Sequence, residues 1–274
     1  MSDSLNENNG GQRVANKKRK EDRQIAYFSM EIGIDDRIPT YSGGLGILAG
    51  DTVCSCADLN VPMVAVSLLY KKGYFAQRLD AQGQQLESPN EWNPQNLFTL
   101  EQEKTSVTIE GRTVQIQAWT YTLAGLADYF VPIIFLDTDV EGNTPEDRQL
   151  TYYLYGGDER YRLAQEIVLG IGGVRMLQKL GYDNIHRYHM NEGHASLLAL
   201  ELLRQYKEAT ATTWPIEAVR KMCLFTTHTP VPAGHDQFSY ELVTQLLGEF
   251  VPFDVLHKLG GEDKLNMTRL KLSQ

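Results

Sequence analysis

Residues 25–70 read IAYFSMEIGIDDRIPTYSGGLGILAGDTVCSCADLNVPMVAVSLLY, and the succession of patterns within them decides the fold. Ile25 to Met30 is a short apolar, β-prone run, which reads as a buried strand. Gly33 to Ser42 hold Gly, Asp and Pro and read as a loop. From Gly46 to Leu59 the pattern is helical, with small residues that allow close packing. Val61 to Tyr70 is a second apolar strand. Strand, loop, helix, strand is the opening unit of an α/β layer fold.

The chain beyond this unit continues the theme. Tyr74 to Leu79, Ser106 to Glu110 and Val114 to Thr122 alternate and carry turn signals, so they read as an antiparallel excursion. Tyr129 to Leu136 is another buried strand, ending at Asp137 and Asp139, carboxylates with no evident partner. One long helix is expected from Arg160 to Lys179, closed by Gly181. Strands at Ile185–His189 and Lys221–Thr226 alternate with helices at Ala195–Lys207 and after Pro215, which suits a first helical turn. Ser239–Phe250 and Pro252–Leu259 look helical. The alternation predicts an α/β fold with a mostly parallel, doubly wound sheet, in which ligands bind beyond the carboxyl ends of the strands. The loops after Ile32, Tyr188 and Thr227 are therefore the ones to watch. Gly170-x-Gly172-Gly173 falls inside the helical pattern and reads as close packing.

The 274 residues, 42% hydrophobic and 22% charged, have ordinary globular composition and can bury a substantial core. A net charge of −9 argues against a nucleic-acid partner, which would need basic surface. No apolar run is long enough to span a membrane as a helix. Cys54, Cys56 and Cys223 make no disulfide framework, so buried reduced thiols and a cytoplasmic setting are expected. Residues 1–24, with the basic cluster Lys17 to Lys20, read as a solvated, disordered tail ahead of a single domain over 25–274.

Three segments hold residues suited to chemistry. In Tyr41-Ser42-Gly43-Gly44-Leu45-Gly46 the glycines lead into a helix, where bare backbone and free amides favour an anion. A tight packing loop is the bland alternative. Gly44-x-Gly46-x-x-Ala49 also resembles a dinucleotide fingerprint. However, about ten residues separate it from its strand, and the next strand ends without the acidic residue that fingerprint requires. The second segment, His189-Met190-Asn191-Glu192-Gly193-His194, gathers donors and acceptors suited to sugar hydroxyls at a strand end. A metal there would lack a clear third ligand. In Thr226-Thr227-His228-Thr229-Pro230-Val231-Pro232, two prolines stiffen the loop, and His228 could bind a hydroxyl or move a proton near neutral pH. Glu31, Gln165 and Glu166, and the cluster Tyr152, Tyr153 and Tyr155, are weaker candidates. Tyrosines so placed are more often packing than a sugar platform. No nucleophile elbow, phosphate loop or paired glycosidase carboxylates stand out.

Taken in order, Ala26-Tyr27-Phe28-Ser29-Met30-Glu31, Ser42-Gly43-Gly44-Leu45-Gly46, Arg162-x-x-Gln165-Glu166, Asn191-x-x-His194 and Thr227-His228-Thr229 resemble the α-glucan (glycogen, starch, maltodextrin) phosphorylases. The forms Asn191-Glu192-Gly193-His194 and Thr226 to Asp236 are similar to the shorter prokaryotic branch. The resemblance covers roughly Ile25 to Leu270. It implies a Rossmann-like domain of the glycosyltransferase B-type fold, with its facing carboxy-terminal domain missing. It also implies phosphorolysis of an α-1,4-glucan or maltodextrin by inorganic phosphate, giving glucose 1-phosphate with retention of configuration, and pyridoxal phosphate as cofactor. By motif position, Gly43 and Gly44 approach the cofactor phosphate. Leu45 belongs to the same catalytic loop, and His228 stands beside the transferred glucose. Glu31, Asn191 and His194 support the substrate site.

The sequence departs from the family in one respect. The family's cofactor lysine lies in a stretch resembling Glu-Ala-Ser-Gly-Thr-Ser-Asn-Met-Lys, and nothing like it occurs here. The expectation is a chain that forms one wall of the cleft and is inactive alone, with a homodimer or a separate carboxy-terminal half as its partner. A starch or glycogen synthase, which has a similar Gly-Gly-Leu loop, and a non-catalytic glucan-binding remnant are the alternatives.

Overall fold

The computed structural model describes residues 20–88, 90, 92–210, 214–228 and 235–270. The opening unit is present as β1 (Ile25–Ser29), α1 (Gly44–Asp58) and β2 (Met63–Leu68). Every residue of β2 is buried, as befits a parallel strand covered on both faces. A small hairpin follows, β3 (Ala76–Leu79) with β4 (Gln85–Ser88). Then come the long antiparallel strands β5 (Thr99–Ile109) and β6 (Arg112–Ala124), and β7 (Phe130–Asp137). After α2 (Pro145–Arg148), the helices α3 (Glu159–Ile167) and α4 (Gly173–Lys179) lead to β8 (Arg187–Asn191). Next, α5 (Leu197–Thr210) and α6 (Ile216–Met222) lead to β9 (Cys223–Thr226). Another pair of strands, β10 (Gln237–Ser239) and β11 (Lys264–Asn266), brackets α7 (Tyr240–Leu247) and α8 (Phe253–Gly260).

Seven strands form the central sheet in the order β5-β6-β7-β2-β1-β8-β9. From β7 to β9 all neighbours are parallel, while β5 and β6 are antiparallel additions at one edge. The chain builds outward from β1 through β2 to β7, then crosses back to β8 and β9. The strand order thus reverses between β1 and β8, the place where such sheets leave a crevice at their carboxyl ends. Asn191 pairs with Ser29 on one side and Thr226 on the other, so three strand ends come level there.

Alternation along the strands sends side chains to two cores. Tyr27, Ala65, Ile133 and Phe135 pack with Ala49, Val53 and Ala57 of α1. Ala26, Phe28, Val64, Val66 and Ile134 pack beneath α3, α4 and α5 on the other face. The close packing expected of α1 is severe at Gly50, where a Cβ would stand 1.7 Å from the Gly33 carbonyl oxygen.

Several expectations need correction. The long helix is interrupted, because Val168–Gly172 forms a π-helical turn between α3 and α4. Its glycines are packing residues as expected: Cβ atoms at Gly170, Gly172 and Gly173 would press on Leu198, Ile116 and Phe28. Asp137 and Asp139 are fully partnered. Asp137 accepts from Trp119 and Gln117 at 3.0 and 2.8 Å, and Asp139 pairs with Lys71 and Arg148. The three cysteines are free, but half-buried rather than buried. Packing begins before Ile25: Arg23 is buried and donates to the carbonyls of Met63 and Phe130 and to the Tyr129 hydroxyl. The tail up to residue 19 lies outside the described residues. Among the described residues no helix is long and apolar enough to cross a membrane.

Candidate functional site

The carboxyl end of β1 organises the crevice. Glu31, just past the strand, is buried. Its Oε2 accepts the backbone N–H groups of Ser42 at 2.8 Å and Gly43 at 3.3 Å, and its Oε1 accepts the Tyr155 hydroxyl at 2.7 Å. One carboxylate therefore holds the glycine-rich turn in place from behind. Gly46 must be glycine in this arrangement, because a Cβ there would lie 2.8 Å from Glu31 Oε2 and 2.4 Å from Tyr41 Cβ.

The turn itself faces outward. Gly43 is extended and caps α1 without a side-chain hydrogen bond, and no acidic residue sits in the first helical turn. Gly43 and Gly44 have open space where a Cβ would point. Ser42 and Gly43 N–H go to Glu31, and those of Gly46 and Ile47 go back to the Gly43 carbonyl. The N–H groups of Gly44 and Leu45 find no acceptor among the described residues. Two free amides at a helix N-terminus, with its positive dipole end, suit an anion. Leu45 contributes this backbone donor, while its side chain is half-buried.

Strands β8 and β9 bring the other two motifs to the same crevice. Ser29 Oγ donates to the Glu31 carbonyl at 2.6 Å and accepts from Asn191 Nδ2 at 3.1 Å. With that amide committed, Asn191 Oδ1 is the acceptor for His228 Nε2 at 3.0 Å. His228 is exposed, and its Nδ1 has no partner among the described residues. The Pro230 and Pro232 expected to stiffen its loop lie outside the described residues. Glu192 does the holding that can be seen: it accepts the His228 N–H at 2.5 Å and the Thr227 hydroxyl at 3.2 Å. Its φ of 64° is unusual for a non-glycine residue and places backbone strain at the strand end.

His194 is buried away from His228. Its Nε2 lies 3.4 Å from Asp236, and its Nδ1 has no partner. Burial holds its pKa below the ordinary 6.5. Asp236 in turn pairs with Arg162 at 2.7 Å. His189 instead faces Thr226 at 2.7 Å, so the two imidazoles of the second motif serve different partners.

Arg162, Glu166 and Tyr155 are the residues that sequence reasoning undervalued. Tyr155 stands at φ 55°, bonds Glu31, and has its ring centroid 5.9 Å from that of His194 and 5.8 Å from the Arg162 guanidinium. Only the turn-like Tyr155-Gly156-Gly157 hinted at such a bend. Gln165 is structural: it donates to the carbonyls of Leu150 and Tyr153 and so ties the Tyr155 loop to α3. Glu166 is fully buried with neither carboxyl oxygen hydrogen-bonded in good geometry. Burial first, and then the Asp236 carboxylate, push its pKa well above the usual range.

Residues 39–144, which carry the glycine-rich turn, match the model of the carbohydrate phosphorylases. A maltodextrin phosphorylase of Thermococcus litoralis is 41% identical over 265 residues, covering 92% of this chain and 31% of its own length. A glycogen phosphorylase of Mycobacterium tuberculosis is 37% identical over 278 residues, covering 90% of this chain and 31% of its own. Over about nine-tenths of its length this chain is similar to carbohydrate phosphorylases. It spans about a third of the length of the curated relatives it matches. A match over 92% of the chain necessarily includes Glu31, the glycine-rich turn, Asn191, His194 and His228.

Proposed function

We propose that this chain forms the amino-terminal wall of the cleft in an α-1,4-glucan phosphorylase, a Rossmann-like domain of the glycosyltransferase B-type fold. The observation that carries the reading is the pair of unclaimed N–H groups on Gly44 and Leu45, held open by Glu31 at the crevice where His228 is also fixed. The relatives are named phosphorylases, which favours phosphate over a nucleotide sugar as the glucosyl partner.

In this reading Gly44 and Leu45 donate to phosphate oxygens. His228 accepts a glucosyl hydroxyl at Nδ1, while Asn191 and Glu192 fix its ring and backbone. Fixed donors and acceptors lower the barrier because they need no reorganisation during reaction. Pyridoxal phosphate, the cofactor that the family implies, would when bound supply a phosphate group able to exchange a proton with the substrate phosphate. The open, amide-lined turn fits such a group. Toward it the chain would offer close approach of bare backbone at Gly43 and Gly44, where a Cβ would meet open space, since the family's cofactor lysine motif is absent from these residues.

Phosphorolysis tests the reading when this chain is joined in one polypeptide to the remainder of the Thermococcus relative. His228→Ala is expected to lower the rate of glucose 1-phosphate release by about 10- to 100-fold, the worth of one fixed polar contact in a dry site. An unchanged rate would remove His228 from the substrate site.

A further inference from the structure

The loop that carries His228 is held at both ends. Glu192 holds its start, as described above, and Asp236 holds its end. The Asp236 carbonyl accepts the Met267 N–H at 3.0 Å. Its carboxylate pairs with Arg162 of α3 at 2.7 Å and stands 3.4 Å from His194 Nε2. Arg162 and Glu166 lie one turn apart on α3 and share a face. Glu166 is the odd member of this cluster. It is fully buried, and neither carboxyl oxygen meets a donor among the described residues. The group that faces it is the Asp236 carboxylate, itself an acceptor.

Two ionised carboxylates facing each other away from water repel, and a buried charge with no donor is costly. A proton on Glu166 removes both penalties, because a protonated carboxyl is a donor and Asp236 can accept it. The charges then balance at neutral pH: Asp236 is negative, Arg162 positive, Glu166 and His194 neutral. The cluster also reaches the anion turn. The Tyr155 ring lies 5.8 Å from the Arg162 guanidinium, and its hydroxyl donates to Glu31, which holds the N–H groups of Ser42 and Gly43. We propose that Glu166, as a neutral acid donating to Asp236, is a positioning residue that sets the end of the His228 loop and, through Arg162 and Tyr155, the glycine-rich turn. The proposal rests on the reading of that crevice as a glucosyl phosphate site.

Calorimetric titration of the purified chain with glucose 1-phosphate, paired with infrared spectra at pH 7, tests it. Glu166→Leu fills similar volume without a donor and is expected to bind glucose 1-phosphate about tenfold more weakly than the parent. Glu166→Gln keeps a donor toward Asp236 and is expected to stay within about twofold of the parent. The parent spectrum should show the carbonyl stretch of a protonated carboxyl group, and Glu166→Gln should lack it. Identical spectra in that region would show Glu166 ionised and overturn the proposal, whatever the binding. Parent-like binding by Glu166→Leu, or binding by Glu166→Gln as weak as that of Glu166→Leu, would overturn it and leave the glucosyl phosphate reading standing. No binding by the parent would overturn that reading for this chain, and the positioning role with it.

Discussion

Glu166 and His194 share one buried polar cluster and respond to acid in opposite senses. Glu166 titrates above its ordinary 4.5 in the folded protein. The stability linked to it is therefore fully present below pH 4.5 and is lost as pH rises through the folded value. His194 titrates below its ordinary 6.5. Below pH 6.5 the unfolded chain takes up a proton that the folded chain refuses, so stability falls with falling pH. Glu166→Gln keeps the shape and removes the first effect. We expect the variant to gain stability relative to the parent as pH rises above 4.5, with a limiting slope of about 1.4 kcal/mol per pH unit. Urea midpoints at several pH values measure this, and parallel curves for the two proteins would contradict it. Gly44→Pro tests the anion turn at the same scale. Proline suits the first helical position, and the extended Gly43 before it is compatible. The variant should therefore fold within about 1 kcal/mol of the parent. It should nonetheless bind glucose 1-phosphate about tenfold more weakly, because one of two donors is gone.

At the scale of elements, α1 carries the largest packing constraint. Its buried stripe of Gly46, Ala49, Gly50, Val53 and Ala57 lets the loop after β1 lie directly on the helix. Gly50→Ala pushes a methyl group into the Gly33 carbonyl and is expected to cost about 3 kcal/mol. Gly181→Ala, at φ +82° with open space around it, costs only the backbone strain, about 1–2 kcal/mol. Chemical denaturation of the two variants ranks these effects, and a larger loss at Gly181 would reverse the account. Legibility follows the same physics. Strands β1, β2 and β7 were readable because burial on both faces leaves an unbroken apolar run. Strand β4 was not, since all four of its residues are exposed, and β5 extends seven residues ahead of the predicted Ser106 through mostly exposed positions. The π-helical turn at Val168–Gly172 leaves no mark on a helical pattern, because its residues are buried all round.

Across the whole molecule, the reversal of strand order between β1 and β8 places the ends of β1, β8 and β9 side by side. This is why the motifs at Glu31, Asn191 and His228, far apart in sequence, share one crevice. The motifs themselves were legible, but their division of labour was not. Glu31 and Glu192 hold backbone, Asn191 orients His228, and His194 turns inward to Asp236. Such roles depend on which neighbour each side chain meets after folding. Phosphorolysis needs a second wall to enclose phosphate and exclude water. A polypeptide of these 274 residues is accordingly expected to release no detectable glucose 1-phosphate from maltodextrin and phosphate in a coupled assay, and measurable release would show that one wall suffices.

In the proposed site the glycine-rich turn and His228 face the phosphate and the glucosyl unit together. Titration with glucose 1-phosphate, followed at individual backbone amides by nuclear magnetic resonance, addresses it most directly. The amides of Gly44, Leu45 and His228 are expected to shift together along one saturating curve. Shifts confined to other parts of the chain, or none up to the solubility limit of the ligand, would contradict it.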